Sequence, residues 1–167
     1  MAKAAILILS DKGARGERQD LCTGILQKHL EAAGHEVIDA RLISDDYDGI
    51  VENLTALCDT EGAELILTSG GTGLSERDHT PEATLQVATR NVPGIAEAMR
   101  AFSMRYTDRA MLSRAVSVLR NRCLIINLPG SPKALEETLT FVLSPVNHGL
   151  EILLGQASDC ARTGDHK

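Results

Sequence analysis

Residues 4–10 read AAILILS, a continuous apolar run that stops abruptly at a polar loop, SDKGARGERQD. A run with no alternation fits a strand covered on both faces, the situation of a parallel sheet between helical layers. The run is too short, and too soon followed by charges, for a membrane span or a secretion signal. A helical pattern follows. Ile25, Leu26 and Leu30 recur at helical spacing, and Gly34 is placed to end that helix. HEVIDARLIS then reads as a second strand. Ile50, Val51, Leu54, Leu57 and Cys58 form a second helical stripe closed by Gly62, and AELILTS is a third strand. Strand and helix alternating in this way are the signature of a doubly wound α/β sheet.

The second half is read with the same rules. Thr80 caps a helix that begins at Pro81 and ends near Asn91, because Pro93 disfavours helical geometry at Val92. Another helix runs from about Pro93 to Arg105. RAVSVLRNRCLIINLPG is a hairpin or a pair of adjacent strands. SPKALEETLTFVLSPVNHGLEILLG is helical, with Leu135, Leu139, Val142 and Leu143 on one face and a second segment starting at Pro145. One domain over residues 1–155 is expected. Residues 156–167 show no periodicity and are expected to be a mobile tail.

Bulk properties narrow the function. The formal charge is −6, which argues against wrapping nucleic acid or an anionic membrane. Two Phe, two Tyr and no Trp leave little for stacking a flat ligand, so such a ligand would be held mainly by hydrogen bonds from loops. Cys22, Cys58, Cys123 and Cys160 show no C-x-x-C spacing, and the histidines form no cluster. A cytoplasmic protein with reduced thiols is expected.

Ligands of open α/β sheets bind beyond the carboxyl ends of the strands. Three polar loops fall there: one starting at Ser10 and Asp11, one reading SDDYD, and TSGGTGLSERDHT. The turn Gly70-Gly71-Thr72-Gly73 can aim several backbone N–H groups at one phosphate, with the Thr72 hydroxyl beside them. Alone, it serves equally well as a tight strand-to-helix turn. It is neither a P-loop nor G-x-G-x-x-G. Two carboxylates at the ends of different strands, one from the Asp45, Asp46, Asp48 group and one at Asp78, suit Mg²⁺, which takes few protein ligands and shares the rest with water and phosphates. Against this, Asp45 taken alone reads first as a helix cap, and Asp78 can pair with Arg77 or Arg109. Pro129-Gly130-Ser131, followed by Pro132 and Lys133, is a second strand-to-helix turn able to hold an anion.

Taken together, GGTGLSERDHTPEAT, VPGIAEAMR, MLSRA and LIINLPGSPKA resemble, in order, the molybdenum-cofactor-synthesis family of molybdopterin-binding domains, from about Ala4 to Gly155. The resemblance implies a three-layer α/β/α sandwich with a mostly parallel sheet carrying an antiparallel edge, commonly in a homotrimer. It implies an enzyme of the nucleotidyltransferase class. By that resemblance, AMP is expected to pass from ATP to the terminal phosphate of molybdopterin, with Mg²⁺ required and pyrophosphate released, and the product is expected to be handed over to a molybdenum-insertion protein. It selects Asp45 over Asp46 and pairs it with Asp78 as catalytic and metal-holding residues. It assigns the glycine loop with Thr72 to nucleotide and pyrophosphate. Ser103, Ser113 and Asn127 match positions of the pterin and nucleotide region, and Ser131 and Lys133 the second turn. A non-catalytic pterin-binding or scaffold protein on the same fold is the alternative. Two departures stand out: QDLCTG replaces the usual Asp-x-Ser-Gly, which leaves Asp20 and Thr23 without a carried-over role, and Ser44 replaces a common Pro before Asp45.

Overall fold

The computed structural model describes residues 1–156. The tail expected from residue 156 therefore lies almost wholly outside the described residues. The chain runs β1 (Lys3–Leu9), α1 (Asp11–Ala14), α2 (Cys22–Ala32), β2 (Glu36–Ile43), α3 (Tyr47–Asp59), β3 (Leu65–Ser69), α4 (Thr80–Gln86), β4 (Arg90–Asn91), α5 (Pro93–Ser103), a 3-10 helix (Asp108–Leu112), β5 (Ser117–Arg120), β6 (Cys123–Leu128) and α6 (Pro132–Leu153). Six strands form one sheet in the order β2-β1-β3-β6-β5-β4. β2, β1, β3 and β6 are parallel, while β5 and β4 add an antiparallel edge. The sandwich with an antiparallel edge is thus the observed architecture.

The unbroken apolar runs have the burial that their pattern requires. β1 sends Ala4, Ile6 and Ile8 into a core shared with α2, α5 and α6. Its alternate residues Ala5, Leu7 and Leu9 enter a second core under α3 and α4. Covering both faces explains why β1 beyond Lys3 and the first three residues of β3 are wholly apolar, with buried Thr68 and Ser69 following only at the end of β3 that leads to the rim. The hairpin reading holds: Arg120 pairs with Cys123 across a turn in which Asn121 adopts φ 52°.

Three local expectations give way. Thr80 does not cap α4; it is the helix's first residue, and its hydroxyl instead donates to the Gly70 carbonyl at 2.9 Å. α4 ends at Gln86 rather than near Asn91, because Arg90 and Asn91 pair with Leu119 and Val118 at the sheet edge. Pro145 starts no second segment, since α6 continues through it. A proline there removes the N–H that the carbonyl of Phe141 would accept, and the long apolar face of α6 overrides that cost. Pro145 is exposed. Pro145→Ala is therefore expected to stabilise the protein by about 1–3 kcal/mol, read as a higher urea midpoint with an unchanged slope.

The parallel order places the carboxyl ends of β1, β2, β3 and β6 along one rim. β1 leads to Ser10 and Asp11, β2 to Asp45, β3 to the glycine turn, and β6 to Pro129-Gly130-Ser131. The chain reverses its direction of winding between β1 and β3, and a crevice opens there.

Candidate active site

Two cavities meet on this rim. The larger, about 700 Å³, is walled by Ser10, Asp11, Asp45, Gly70, Gly71, Asp78, Gly130 and Ser131, with Lys12, Arg18 and Arg77 around it. The smaller, about 310 Å³, is walled by Thr72, Gly73, Ser103, Ser113, Asn127 and Pro129. Gly130 and Ser131 belong to both, so the two cavities are neighbours. Lys133 is exposed on the first turn of α6 and lines neither.

The glycine turn is the wall between them, and its backbone has no room for side chains. Gly70 has φ 107° and Gly71 φ 63°, the left-handed region that favours glycine. A Cβ on Gly70 would overlap the Leu9 carbonyl oxygen, and one on Gly71 would overlap the Thr80 hydroxyl. The β6 turn packs backbone to backbone on the same point: a Cβ on Gly130 would lie 3.1 Å from the Gly70 Cα. Thr80 clasps the turn from the other side, its N–H donating to the Gly71 carbonyl at 3.2 Å.

Asp45 and Asp46, adjacent in sequence, have separate tasks. Asp46 caps α3 by accepting the Gly49 N–H at 2.9 Å. Asp45 does not cap. Its carboxylate accepts the Asp11 N–H at 2.8 Å, and its own N–H donates to the Asp11 carboxylate at 3.0 Å. This reciprocal pair locks the β1 and β2 loops together and turns the Asp45 carboxylate toward the crevice. Burial raises the Asp45 pKa, and the charges of Asp11 and Asp78 raise it further, only partly offset by the Asp11 N–H. Asp78 pairs with neither Arg77 nor Arg109. Its carboxylate accepts the Ser75 N–H at 2.8 Å.

The arginine beside it does something else. Arg77 donates to both Asp11 oxygens, at 2.9 and 3.0 Å, bridging the glycine loop to the β1 loop. The Arg77 guanidinium, followed by the Asp45 N–H, depresses the Asp11 pKa to about 2. Folding depresses this pKa, so its contribution is full above the ordinary carboxylate range and is lost as pH falls from about 4 toward about 2. The pair is largely solvent-exposed, so the contribution is under about 1 kcal/mol. Arg77→Ala is expected to move the Asp11 pKa back toward about 3.9, measurable by NMR titration of its carboxyl carbon.

Asn127 is fully buried and wholly occupied. Its amide donates to Thr68 and Thr84 at 3.0 and 2.9 Å, and its oxygen accepts the Val116 N–H at 3.2 Å. It shapes the floor of the smaller cavity. Ser131 sits at the cap position of α6, but its hydroxyl makes no capping bond. Asp20 and Thr23 now have an account: Asp20 accepts the N–H groups of Cys22 and Thr23 at 2.8 and 3.1 Å and the Thr23 hydroxyl at 2.5 Å, closing the start of α2.

The donor set fits a particular kind of metal. Among the described residues no group of three or more His, Cys, Asp or Glu side chains is arranged as a metal cage. Asp45 and Asp78 on one cavity wall instead suit Mg²⁺, which keeps several waters and is completed by substrate phosphates. The accumulation of negative charge felt by Asp45 is what a divalent cation would relieve.

Comparison with known proteins identifies the family. Residues 5–148 match the family described as "Probable molybdopterin binding domain". The chain is 44% identical over 141 residues to the molybdopterin adenylyltransferase of Haemophilus influenzae, covering 83% of this chain and 72% of that one. It is 36% identical over 152 residues to the molybdopterin adenylyltransferase of Helicobacter pylori, covering 90% and 86%. Among solved structures, the molybdopterin biosynthesis enzyme MoaB of Thermus thermophilus superposes with TM-score 0.88 at 46% identity, covering 93% of this chain and 98% of that one.

Proposed function

The chain belongs to the molybdopterin-binding domain family of molybdenum-cofactor biosynthesis, and from that premise we propose that it transfers AMP from ATP to the terminal phosphate of molybdopterin, releasing pyrophosphate. The observation that carries this reading is the pairing of Asp45 and Asp78 on one cavity wall with the amide-rich glycine turn between them.

An oxygen of the pterin's phosphate attacks the α-phosphorus of ATP. The bond from that phosphorus to the bridging oxygen breaks, and pyrophosphate leaves with the electron pair. The attacking oxygen is already largely deprotonated at neutral pH, so no general base is needed. That matches a site with no histidine in the wall of the larger cavity. What remains is positioning and neutralising charge. Asp45 and Asp78 would hold Mg²⁺, which supplies charge neutralisation on the phosphates when bound. Backbone N–H groups of the glycine turn would cradle phosphate oxygens, and Lys12 and Arg18 add positive charge at the rim. The smaller cavity, with Ser103 and Ser113 and no aromatic side chain in its wall, offers hydrogen-bonding groups to a pterin.

The same reading makes the protein a homotrimer in the cytoplasm, where Cys22, Cys58 and Cys123 stay reduced, with a molybdenum-insertion protein as the recipient of its product. Among the described residues no helix is long and apolar enough to cross a membrane.

The test is pyrophosphate release by the purified protein with ATP and Mg²⁺, with and without molybdopterin. Release that depends on the pterin is expected. Tight pterin binding with no pyrophosphate, under conditions where an established adenylyltransferase turns over, would assign the chain to pterin carriage instead.

A further inference from the structure

Arg114 lines neither cavity, yet it donates hydrogen bonds to three carbonyls of the glycine loop. Its backbone N–H donates to the Thr72 carbonyl at 2.9 Å. Its Nε–H donates to the Gly73 carbonyl at 2.7 Å, and its Nη2 donates to the Asp78 carbonyl at 2.5 Å. Its Nη1 pairs with Glu82 on α4. Gly73 and Asp78 are the two ends of the loop that carries the Asp78 carboxylate. One planar guanidinium therefore ties that loop shut across its mouth.

The anchor is itself held. Arg100, from α5, donates to the carbonyls of Ser113 and Ala115 at 3.4 and 2.7 Å, on either side of Arg114. The next residue, Val116, is fixed to buried Asn127 by its N–H. Inside the loop the space is already tight: a Cβ on Gly73 would stand 2.9 Å from the Asp78 carboxylate. If the loop relaxed, the Asp78 carboxylate and the Thr72–Gly73 amides would move together.

We infer that Arg114 is a positioning residue for adenylyl transfer, holding the Asp78 carboxylate and the phosphate-facing amides in register with Asp45. This rests on the functional reading above. Arg114 touches no substrate; it acts through the loop. Its chemistry is specific. A lysine keeps the charge opposite Glu82 but cannot span two carbonyls in one plane. Groups that orient metal ligands without being ligands typically change metal affinity or activity by roughly 10- to 100-fold when lost.

Arg114→Ala and Arg114→Lys are compared with the wild type in three measurements. The first is amide hydrogen exchange of residues 72–78 in the free protein. The second is the Mg²⁺ concentration giving half-maximal adenylyl transfer. The third is recovery of Arg114→Ala by millimolar guanidinium. Faster exchange confined to the loop, a half-saturating Mg²⁺ concentration raised roughly 10-fold or more in both variants, and partial recovery by guanidinium in the alanine variant are expected. Should Arg114→Ala fold poorly, Arg114→Lys retains the charge and gives the same first two readings. Unchanged exchange and unchanged Mg²⁺ dependence in a folded variant would overturn the inference. A wild type without transfer activity would instead overturn the functional reading, and loop exchange in the free variants would still decide whether Arg114 holds the loop.

Discussion

Asp45→Asn is expected to cut adenylyl transfer by roughly 10²- to 10⁴-fold, the scale of losing several kcal/mol of metal-assisted charge stabilisation, while making the free protein more stable at neutral pH. Both effects come from one carboxylate. Burial and the charges of Asp11 and Asp78 oppose its ionisation. Its folded pKa therefore lies above the unfolded one. A group shifted in that direction contributes stability below the unfolded pKa, and the contribution is lost as pH rises through the folded value. At neutral pH the ionised carboxylate is a liability to the free fold. Asparagine removes the charge and keeps an oxygen to accept the Asp11 N–H. The stability gain should be visible by thermal unfolding at pH 7 and should shrink as pH falls to about 4. A variant that lost activity and stability together would show that Asp45 is a structural carboxylate. Asp46→Asn is the control. It leaves the crevice intact and disturbs only the α3 cap.

Gly70→Ala is expected to destabilise the fold by roughly 3 kcal/mol or more, through left-handed strain and a backbone clash acting together. The obstacle is the Leu9 carbonyl oxygen, part of the central strand β1, and it cannot step aside as a flexible side chain can. The β6 turn presses on the same glycine through Gly130, so a shift in either direction meets main chain. Gly94→Ala supplies the contrast. Gly94 is exposed in the first turn of α5 with open space around it and no left-handed φ. That change should be neutral, or stabilising by about 0.5–1 kcal/mol. Urea midpoints of the two variants against the wild type provide the comparison.

The layered fold was legible because its signal is collective. Uninterrupted runs such as AAILILS can be satisfied only by burial on both faces, and the helical stripes between them supply the covering layers. Short-range features competed with tertiary demands and were less readable. Arg90 and Asn91 carry no strand pattern; they pair because β5 offers an unpaired edge. Pro145 carries a strong local signal to break α6, and the buried residues Leu139, Val142, Val146 and Leu150 outweigh it. In the site, composition could not separate Asp45 from Asp46. Resemblance chose Asp45; in the structure the Asp46 side chain accepts the Gly49 N–H, and Asp45 lines the crevice. Arg114 went unnoticed in the sequence because a lone arginine in MLSRA has no periodicity. Its importance appears only when the loop carbonyls that it collects are in place.

The central claim concerns which bond of ATP is broken and where the fragment goes. The most direct measurement uses ATP labelled at the α-phosphate and, in parallel, at the γ-phosphate, incubated with molybdopterin, Mg²⁺ and the protein. The account predicts that the α label moves onto the pterin and the γ label appears in pyrophosphate, with both transfers lost in Asp45→Asn. A γ label on the pterin, or inorganic phosphate in place of pyrophosphate, would contradict it.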